Sequence, residues 1–234
     1  MERITEETRK TLTLTLSLAE QGRGKFPLPA DGERIKVRGA KIMTNRKQEL
    51  RREMREKLAS LSSADVRAKS AAIWEQCLLV TEFVTADWVL AYVSRGHEVA
   101  THEFIKRLLA MGKHVCVPKF DEPTSQYVVS ELHDFDKDLV KGKFGILEPC
   151  AEAVRRVEPG KLGALLVPGL AFDMMGNRLG RGLGFFDRIL QETTGAKLAL
   201  AYDFQSVETV PAEKHDVRMD FIITETRVVN VKRT

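Results

Sequence analysis

Between Ala164 and Leu190 the chain reads ALLVPGLAFDMMGNRLGRGLGFFDRIL, and no other stretch limits its fold as much. The apolar run Ala164–Val167 has the character of a buried strand, which Pro168 and Gly169 stop. The loop that follows carries glycines at 169, 176, 180, 182 and 184, with Arg178 and Arg181 among the last of them. Phe185-Phe186-Asp187-Arg188 then opens a helical pattern. Glycines let successive backbone N–H groups turn toward one point, and a helix N-terminus adds partial positive charge there. Two guanidinium groups add whole charges. The pattern predicts a polyphosphate site, with Asp187 placed to hold the Mg²⁺ that accompanies one. The competing reading is a surface loop with solvated arginines.

Two common phosphate motifs do not fit. The P-loop needs Lys and then Ser or Thr after its second glycine, and none of Gly180, Gly182 or Gly184 is followed that way. The dinucleotide pattern is half present as Gly182-Leu183-Gly184, but Asp187 stands at its third glycine and no acidic ribose ligand follows at the expected distance.

The remainder of the chain predicts the frame around this loop. Residues 1–43 read as an N-terminal extension ahead of a single domain, 44–234. Within the extension, Thr11–Leu18 alternates like an edge strand, and Gly22–Glu33 has the composition of a linker. Glu2, Glu6 and Glu7 and the lack of an apolar block make it a poor secretory signal. A helix is expected over Asn45–Leu61, with Leu50, Met54, Leu58 and Leu61 on one stripe and mostly solvated charges elsewhere. Ser62 or Ser63 caps a second helix to about Leu78, packed through Ala68, Ala71, Ala72 and Trp74. The strand Trp88–Val93, a helix capped by Thr101 and ended by Gly112, and the strand His114–Pro118 form a βαβ unit, hence a parallel pair. Further strands are expected at Gln126–Leu132, Lys197–Tyr202 and Asp220–Thr226, with an edge strand in the tail. Ligands of such α/β sheets gather beyond the carboxyl ends of the strands, where Val93 and Glu98 fall.

The bulk composition excludes more than it selects. The 234 residues, 43% hydrophobic and 30% charged, suit one globular domain, and no apolar run is long enough to span a membrane. A net charge of +4 suits small anionic ligands and does not argue for nucleic acid. Cys77, Cys116 and Cys150 are unclustered, which points to reduced packing residues in a cytoplasmic compartment and gives no zinc site. The histidines show no ligand spacing, and no serine or cysteine has nucleophile-elbow spacing beside His215 and Asp216.

The stretch VPGLAFDMMGNRLGRGLGFFDR, taken whole, resembles the signature of the 5-formyltetrahydrofolate cyclo-ligase family, also called 5,10-methenyltetrahydrofolate synthetases. It has the apolar strand, Pro-Gly, aromatic-Asp, Gly-x-Arg-Leu-Gly, Arg-Gly-x-Gly, two aromatics and Asp, in order. Phe185 and Phe186 stand where the family usually carries tyrosine. The resemblance runs from about Arg46 to Thr224 and implies a three-layer α/β fold, an open and mainly parallel sheet with helices on both faces, as in sugar-phosphate isomerases and CoA transferases. It implies ATP-dependent and Mg²⁺-dependent closure of 5-formyltetrahydrofolate to 5,10-methenyltetrahydrofolate in a cytoplasmic protein, expected to be a monomer. The family's nucleotide site carries over to Lys47, Gln48, Glu49, Leu50 and Arg51 in the first helix. It also takes in Arg178, Leu179, Gly180, Arg181, Gly182, Leu183, Gly184, Phe185 and Phe186. The folate site carries over to Val93, Glu98, Arg181, Gly182, Leu183, Gly184 and Phe185, with Glu98 on the polar ring. Asp187 and Asp216 become the metal ligands, Asp216 directly or through water, and Arg181 the residue that meets charge on the transferred phosphoryl group. Phe144, Ile146 and Pro149 are expected at the site edge. Two alternatives stay open: a non-catalytic folate- or nucleotide-binding module, and an ATP-independent isomerase or transferase of similar architecture.

Overall fold

The computed structural model describes residues 31–142, 145–182, 185–213 and 216–231, without the side chains of residues 31–42, 44 and 185. The strand expected at 11–18, most of the linker stretch, Phe144, Leu183, Gly184 and His215 therefore lie outside the described residues. The chain divides into two compact units, 1–42 and 43–234.

Helix α1 spans Asp31–Ala59, so it starts at Asp31 and not at Asn45. The expectation followed apolar periodicity, which begins only at Leu50. Between Asp31 and Asn45 there is no proline, and the two glycines, Gly32 and Gly39, lower helix propensity without stopping a helix. Met54 and Leu58 of its stripe are buried, and Leu50 and Leu61 pack partly buried against the same core. Helix α2, Ser63–Cys77, is capped by Ser62, whose hydroxyl accepts from the Asp65 N–H while the Asp65 carboxylate accepts from the Ser62 N–H. Its buried face is Val66, Ser70, Ile73 and Cys77. The expected packing residues Ala68 and Ala71 are exposed, because small alanines carry too weak a periodic signal to mark a face.

Strand β1 (Trp88–Leu90) and strand β2 (His114–Asp121) are parallel and joined by helix α3 (His102–Ala110). The hydroxyl of Thr101 does not cap α3; it donates to the Tyr92 carbonyl at 2.6 Å and accepts from the Ser94 N–H, tying down the loop after β1. Trp74 of α2 stacks on Phe104 of α3, and Arg107 pairs with Glu75 across the same contact. Strand β3 (Gln126–Leu132) runs antiparallel to β2, and β4 (Leu139–Lys141) and β5 (Leu147–Pro149) form a small ribbon.

Strands β6 (Ala164–Val167), β9 (Ala196–Leu200) and β10 (Phe221–Ile223) complete the main sheet, with β11 (Val228–Asn230) on its edge. Its order is β11-β10-β9-β6-β1-β2-β3, parallel from β10 to β2 and antiparallel at both edges. The fold is the expected three-layer α/β architecture. Strands β6 and β10 are buried at every residue, as strands covered on both faces must be, whereas β11 is half-exposed. Cys77 and Cys116 are buried thiols whose pKa burial raises, Cys116 to about 12.

Candidate active site

After β1 the chain moves to β2 on one side, and after β6 it moves to β9 on the other. The loops leaving the carboxyl ends of the neighbouring strands β1 and β6 therefore diverge and leave a crevice. A cavity of about 330 Å³ occupies that end. Tyr92 and Val93 reach it from the end of β1, Pro118 and Phe120 from β2, and Pro168 and Gly169 from β6.

The stretch after β6 is not all loop. Ala171–Phe172 (β7) and Arg178–Leu179 (β8) pair antiparallel. Asp173 locks this hairpin: its carboxylate accepts from the N–H groups of Met175, Asn177 and Val210 and from the Asn177 amide. The hairpin delivers Arg178 to the cavity wall. The Arg178 side chain is only 8% exposed; Nη1 donates to the Pro168 carbonyl at 3.3 Å, and Nη2 pairs with Asp187 at the start of helix α4, Phe185–Glu192. Burial lowers the pKa of this guanidinium, and the charges of Asp187 and Asp216 oppose that shift. Both expected metal ligands thus lie in the field of one buried arginine.

The first helix reaches the same place. Arg51 Nε donates to the Gly180 carbonyl at 3.1 Å, and Gly182, at φ 99°, turns beside the Arg51 guanidinium. Lys47 Nζ lies 3.0 Å from Glu213 and 3.7 Å from Asp216. Asp216 also accepts the Glu213 N–H at 2.8 Å, so it is a turn residue whatever else it does. Of the other first-helix residues assigned to the nucleotide, Gln48 and Glu49 are exposed and Leu50 packs on the core. Leu179 is buried in β8. Leu183 and Gly184 fall outside the described residues, as does the side chain of Phe185; Phe186 is buried and lines the cavity.

Arg181 and Glu98 meet directly. Arg181 Nε and Nη2 stand 2.8 and 2.7 Å from Glu98 Oε1, and the Arg95 N–H donates to Oε2 at 2.9 Å. The Glu98 side chain is 12% exposed, not the solvated loop acid that its position in sequence also allowed. Tyr202, whose hydroxyl burial pushes up to about 12, donates to the Glu98 carbonyl at 3.1 Å. His97, beside it, is exposed.

Most of the far wall was not foreseen. Phe120 and Tyr127 meet edge to face at 5.1 Å, and Ile146, Leu147 and Glu148 line the cavity beside them. Ile146 was expected at the edge; Pro149 is buried in β5 and does not line it. The Glu148 carboxylate is buried, with Oε2 accepting from Lys119 and the Phe120 N–H. These residues come from β2, β3 and β5 with no common spacing. The only available signal was that polar and aromatic residues interrupt otherwise apolar strands.

Chemically, the site has an apolar and aromatic half, a carboxylate, Glu98, paired with Arg181, and a rim of arginine, lysine and glycine amides suited to anions. Among the described residues no group of three or more His, Cys, Asp or Glu gathers as a metal cage. Asp187 and Asp216 both act on Arg178, and such a pair of carboxylates fits Mg²⁺, an ion that takes one or two carboxylates from a protein and fills its shell with phosphate and water. No helix among the described residues is long and apolar enough to cross a membrane.

Comparison with known proteins bears on the same region. The pattern of the 5-formyltetrahydrofolate cyclo-ligase family matches residues 43–225. The 5-formyltetrahydrofolate cyclo-ligase of Haemophilus influenzae is 31% identical over 177 residues, covering 74% of this chain and 95% of that protein. That of Mus musculus is 27% identical and covers 80% and 97%. Among solved structures, the 5,10-methenyltetrahydrofolate synthetase of Aquifex aeolicus superposes with a TM-score of 0.72 at 31% identity, over 80% of this chain and 94% of that one. The Mycoplasma pneumoniae synthetase, at 22% identity and a TM-score of 0.60, shares the fold.

Proposed function

The chain belongs to the 5-formyltetrahydrofolate cyclo-ligase family, and we propose that it converts 5-formyltetrahydrofolate to 5,10-methenyltetrahydrofolate at the expense of ATP, in the cavity between β1 and β6. What supports this reading is that Val93 and Glu98, assigned to the folate, line the same cavity as Arg178 and Gly180, assigned to the nucleotide, and as Arg181 and Gly182, assigned to both. Both substrates then lie within reach of each other.

An N-formyl group is an amide and a poor electrophile, so its oxygen must become a leaving group. In the proposed route that oxygen attacks the γ-phosphorus of ATP and releases ADP. N10 of the same folate attacks the resulting imidate phosphate, and phosphate departs as the ring closes. Such a reaction asks the protein for positioning and charge neutralisation, with no protein nucleophile. Arg178, Arg51 and Lys47 hold phosphate oxygens, and the glycine amides approach them closely. Arg181 meets charge that develops on the transferred group. Glu98 accepts from the donor edge of the pterin, and Phe120, Tyr127 and Phe186 cover its faces and exclude water. Asp187 and Asp216 would hold Mg²⁺, which supplies positive charge to the phosphates. The catalytic unit is 44–234, acting as a monomer on small molecules in the cytoplasm, with residues 1–43 an accessory extension.

The test is purified protein with 5-formyltetrahydrofolate, with and without Mg²⁺-ATP, read by absorbance of the methenyl product and by released phosphate. Product only with nucleotide, and loss of most turnover in folded Arg181→Ala and Asp187→Ala, is expected. Turnover without nucleotide would refute the reading; binding of both ligands without product would make the protein a non-catalytic module.

A further inference from the structure

Glu98 is assigned to the folate alone and Arg181 to the nucleotide as well, yet in the structure the two hold each other. Both guanidinium contacts fall on a single oxygen, Oε1, at 2.8 and 2.7 Å, while Oε2 already accepts the Arg95 N–H. Each carboxylate oxygen accepts about two hydrogen bonds. Oε1 is therefore saturated by Arg181, and only Oε2 has capacity left. A donor edge such as that of an aminopyrimidinone presents two adjacent N–H groups and needs both oxygens at once. Pterin and arginine compete for the same oxygen.

Glu98 cannot step aside to serve both. The Arg95 N–H fixes its carboxylate, Tyr202 fixes its carbonyl at 3.1 Å, and its side chain is 12% exposed. The mobile partner is Arg181, whose side chain is 33% exposed and follows Gly180. An arginine released here stays on the rim of the cavity that also holds Arg178 and Gly182.

We propose that the Arg181–Glu98 ion pair is a latch opened by the folate: the pterin's donor edge displaces Arg181 from Glu98 and so frees its guanidinium for the triphosphate. Glu98 is thereby a positioning residue for Arg181 as well as a folate acceptor. This rests on the folate and nucleotide assignments of the proposed function. The consequence is a reciprocal coupling, in which each substrate tightens the other by the same factor. Without folate, the nucleotide must bind against the cost of breaking the pair or without Arg181.

The experiment is calorimetric titration of the full chain with a non-hydrolysable ATP analogue and Mg²⁺, alone and with saturating 5-formyltetrahydrofolate, alongside turnover of the wild type. The folate should tighten nucleotide binding by roughly 5- to 150-fold, the usual range for coupled sites. Glu98→Gln should weaken folate binding yet tighten nucleotide binding in the absence of folate, because a neutral amide no longer retains the guanidinium. A purely structural role for the pair would give no such opposite shifts. A coupling factor of one in an active wild type overturns the latch and leaves the proposed function standing, and that measurement does not depend on the variant folding. Unchanged nucleotide affinity in a folded Glu98→Gln overturns it too. Failure of the wild type to make product would instead strike the proposed function itself.

Discussion

A methyl group added at Gly180 would stand 3.1 Å from Nη1 of Arg178. That nitrogen donates to the Pro168 carbonyl, and the same guanidinium pairs with Asp187, so there is no slack for it to retreat without losing a partner. Gly180→Ala is therefore a test of whether Arg178 holds phosphate. One displaced charge-assisted hydrogen bond is worth about 1.5–3 kcal/mol, so the KM for ATP should rise roughly 10- to 100-fold. The KM for 5-formyltetrahydrofolate and the Tm should change far less. Equal rises in both KM values would mean that Arg178 supports the cavity as a whole. Residues like these were only half legible. The Gly-Arg cluster announces an anion site on its chemistry alone, but Lys47 and Arg51 look like any other charges on an amphipathic helix. Only the family resemblance singled them out, and the hydrogen bond from Arg51 to Gly180 gives the physical reason, since it joins residues 129 apart in sequence. The pairing of Arg181 with Glu98 had no local signal, because no periodicity links positions in separate loops.

Helix α1 brings two of those cations to the site because Lys47, Arg51, Met54 and Leu58, spaced by four, three and four, share one face, whose lower part is buried, with Met54 1% exposed and Leu58 6%. Met54→Ala should destabilise the fold by about 2–5 kcal/mol, the usual cost of emptying a buried Met position. Denaturant unfolding measures it, and a change below ~1 kcal/mol would show that the helix docks by other contacts. The turn before β4 carries a different kind of stability. Burial alone would raise the Asp138 pKa, but hydrogen bonds from Arg155 and from the N–H groups of His133 and Asp134 outweigh it and hold the carboxyl below its ordinary 3.8. A depressed acid stabilises the fold fully above its unfolded value and loses that contribution as pH falls through the folded one. Stability should thus fall on the acid side below 3.8, and Asp138→Asn should flatten that limb while lowering stability at neutral pH. An unchanged acid limb in the variant would assign it to other carboxylates. At this scale elements with an apolar run were legible, down to the three-residue β10, and elements without one were not, from the polar start of α1 to the smallest strands. Strands β3 and β6 have the bounds their apolar runs suggest, whereas β7 and β8 are two-residue strands with no period to detect. They form because Asp173 satisfies the turn between them.

Across the whole molecule, the site exists because the strand order reverses between β1 and β6, and that reversal follows from connectivity: one crossover leads to β2, the next to β9. Sequence patterns predicted one parallel pair, β1 with β2, and therefore the end of the sheet at which a ligand sits. They could not supply the far wall, since Tyr127 and Glu148 arrive from an antiparallel edge and a separate ribbon. The same reasoning about connectivity bears on the chain's beginning. Among the described residues, those that line the cavity and the cations placed beside the glycine loop lie at or after Lys47, and the family match starts at residue 43. The compact unit that contains them also begins at Met43. Removing residues 1–42 cuts through α1 but leaves Leu50, Met54 and Leu58 to dock the remaining turns, and new helix ends fray over only the first turn or so. The truncated protein should therefore keep ATP-dependent ring closure with unchanged KM values for both substrates, and unfold as cooperatively as the full chain. A rise in KM for ATP alone would mean that the removed turns hold Lys47 in place. Loss of cooperative unfolding would mean that the two units fold as one and that the domain boundary does not lie at Met43.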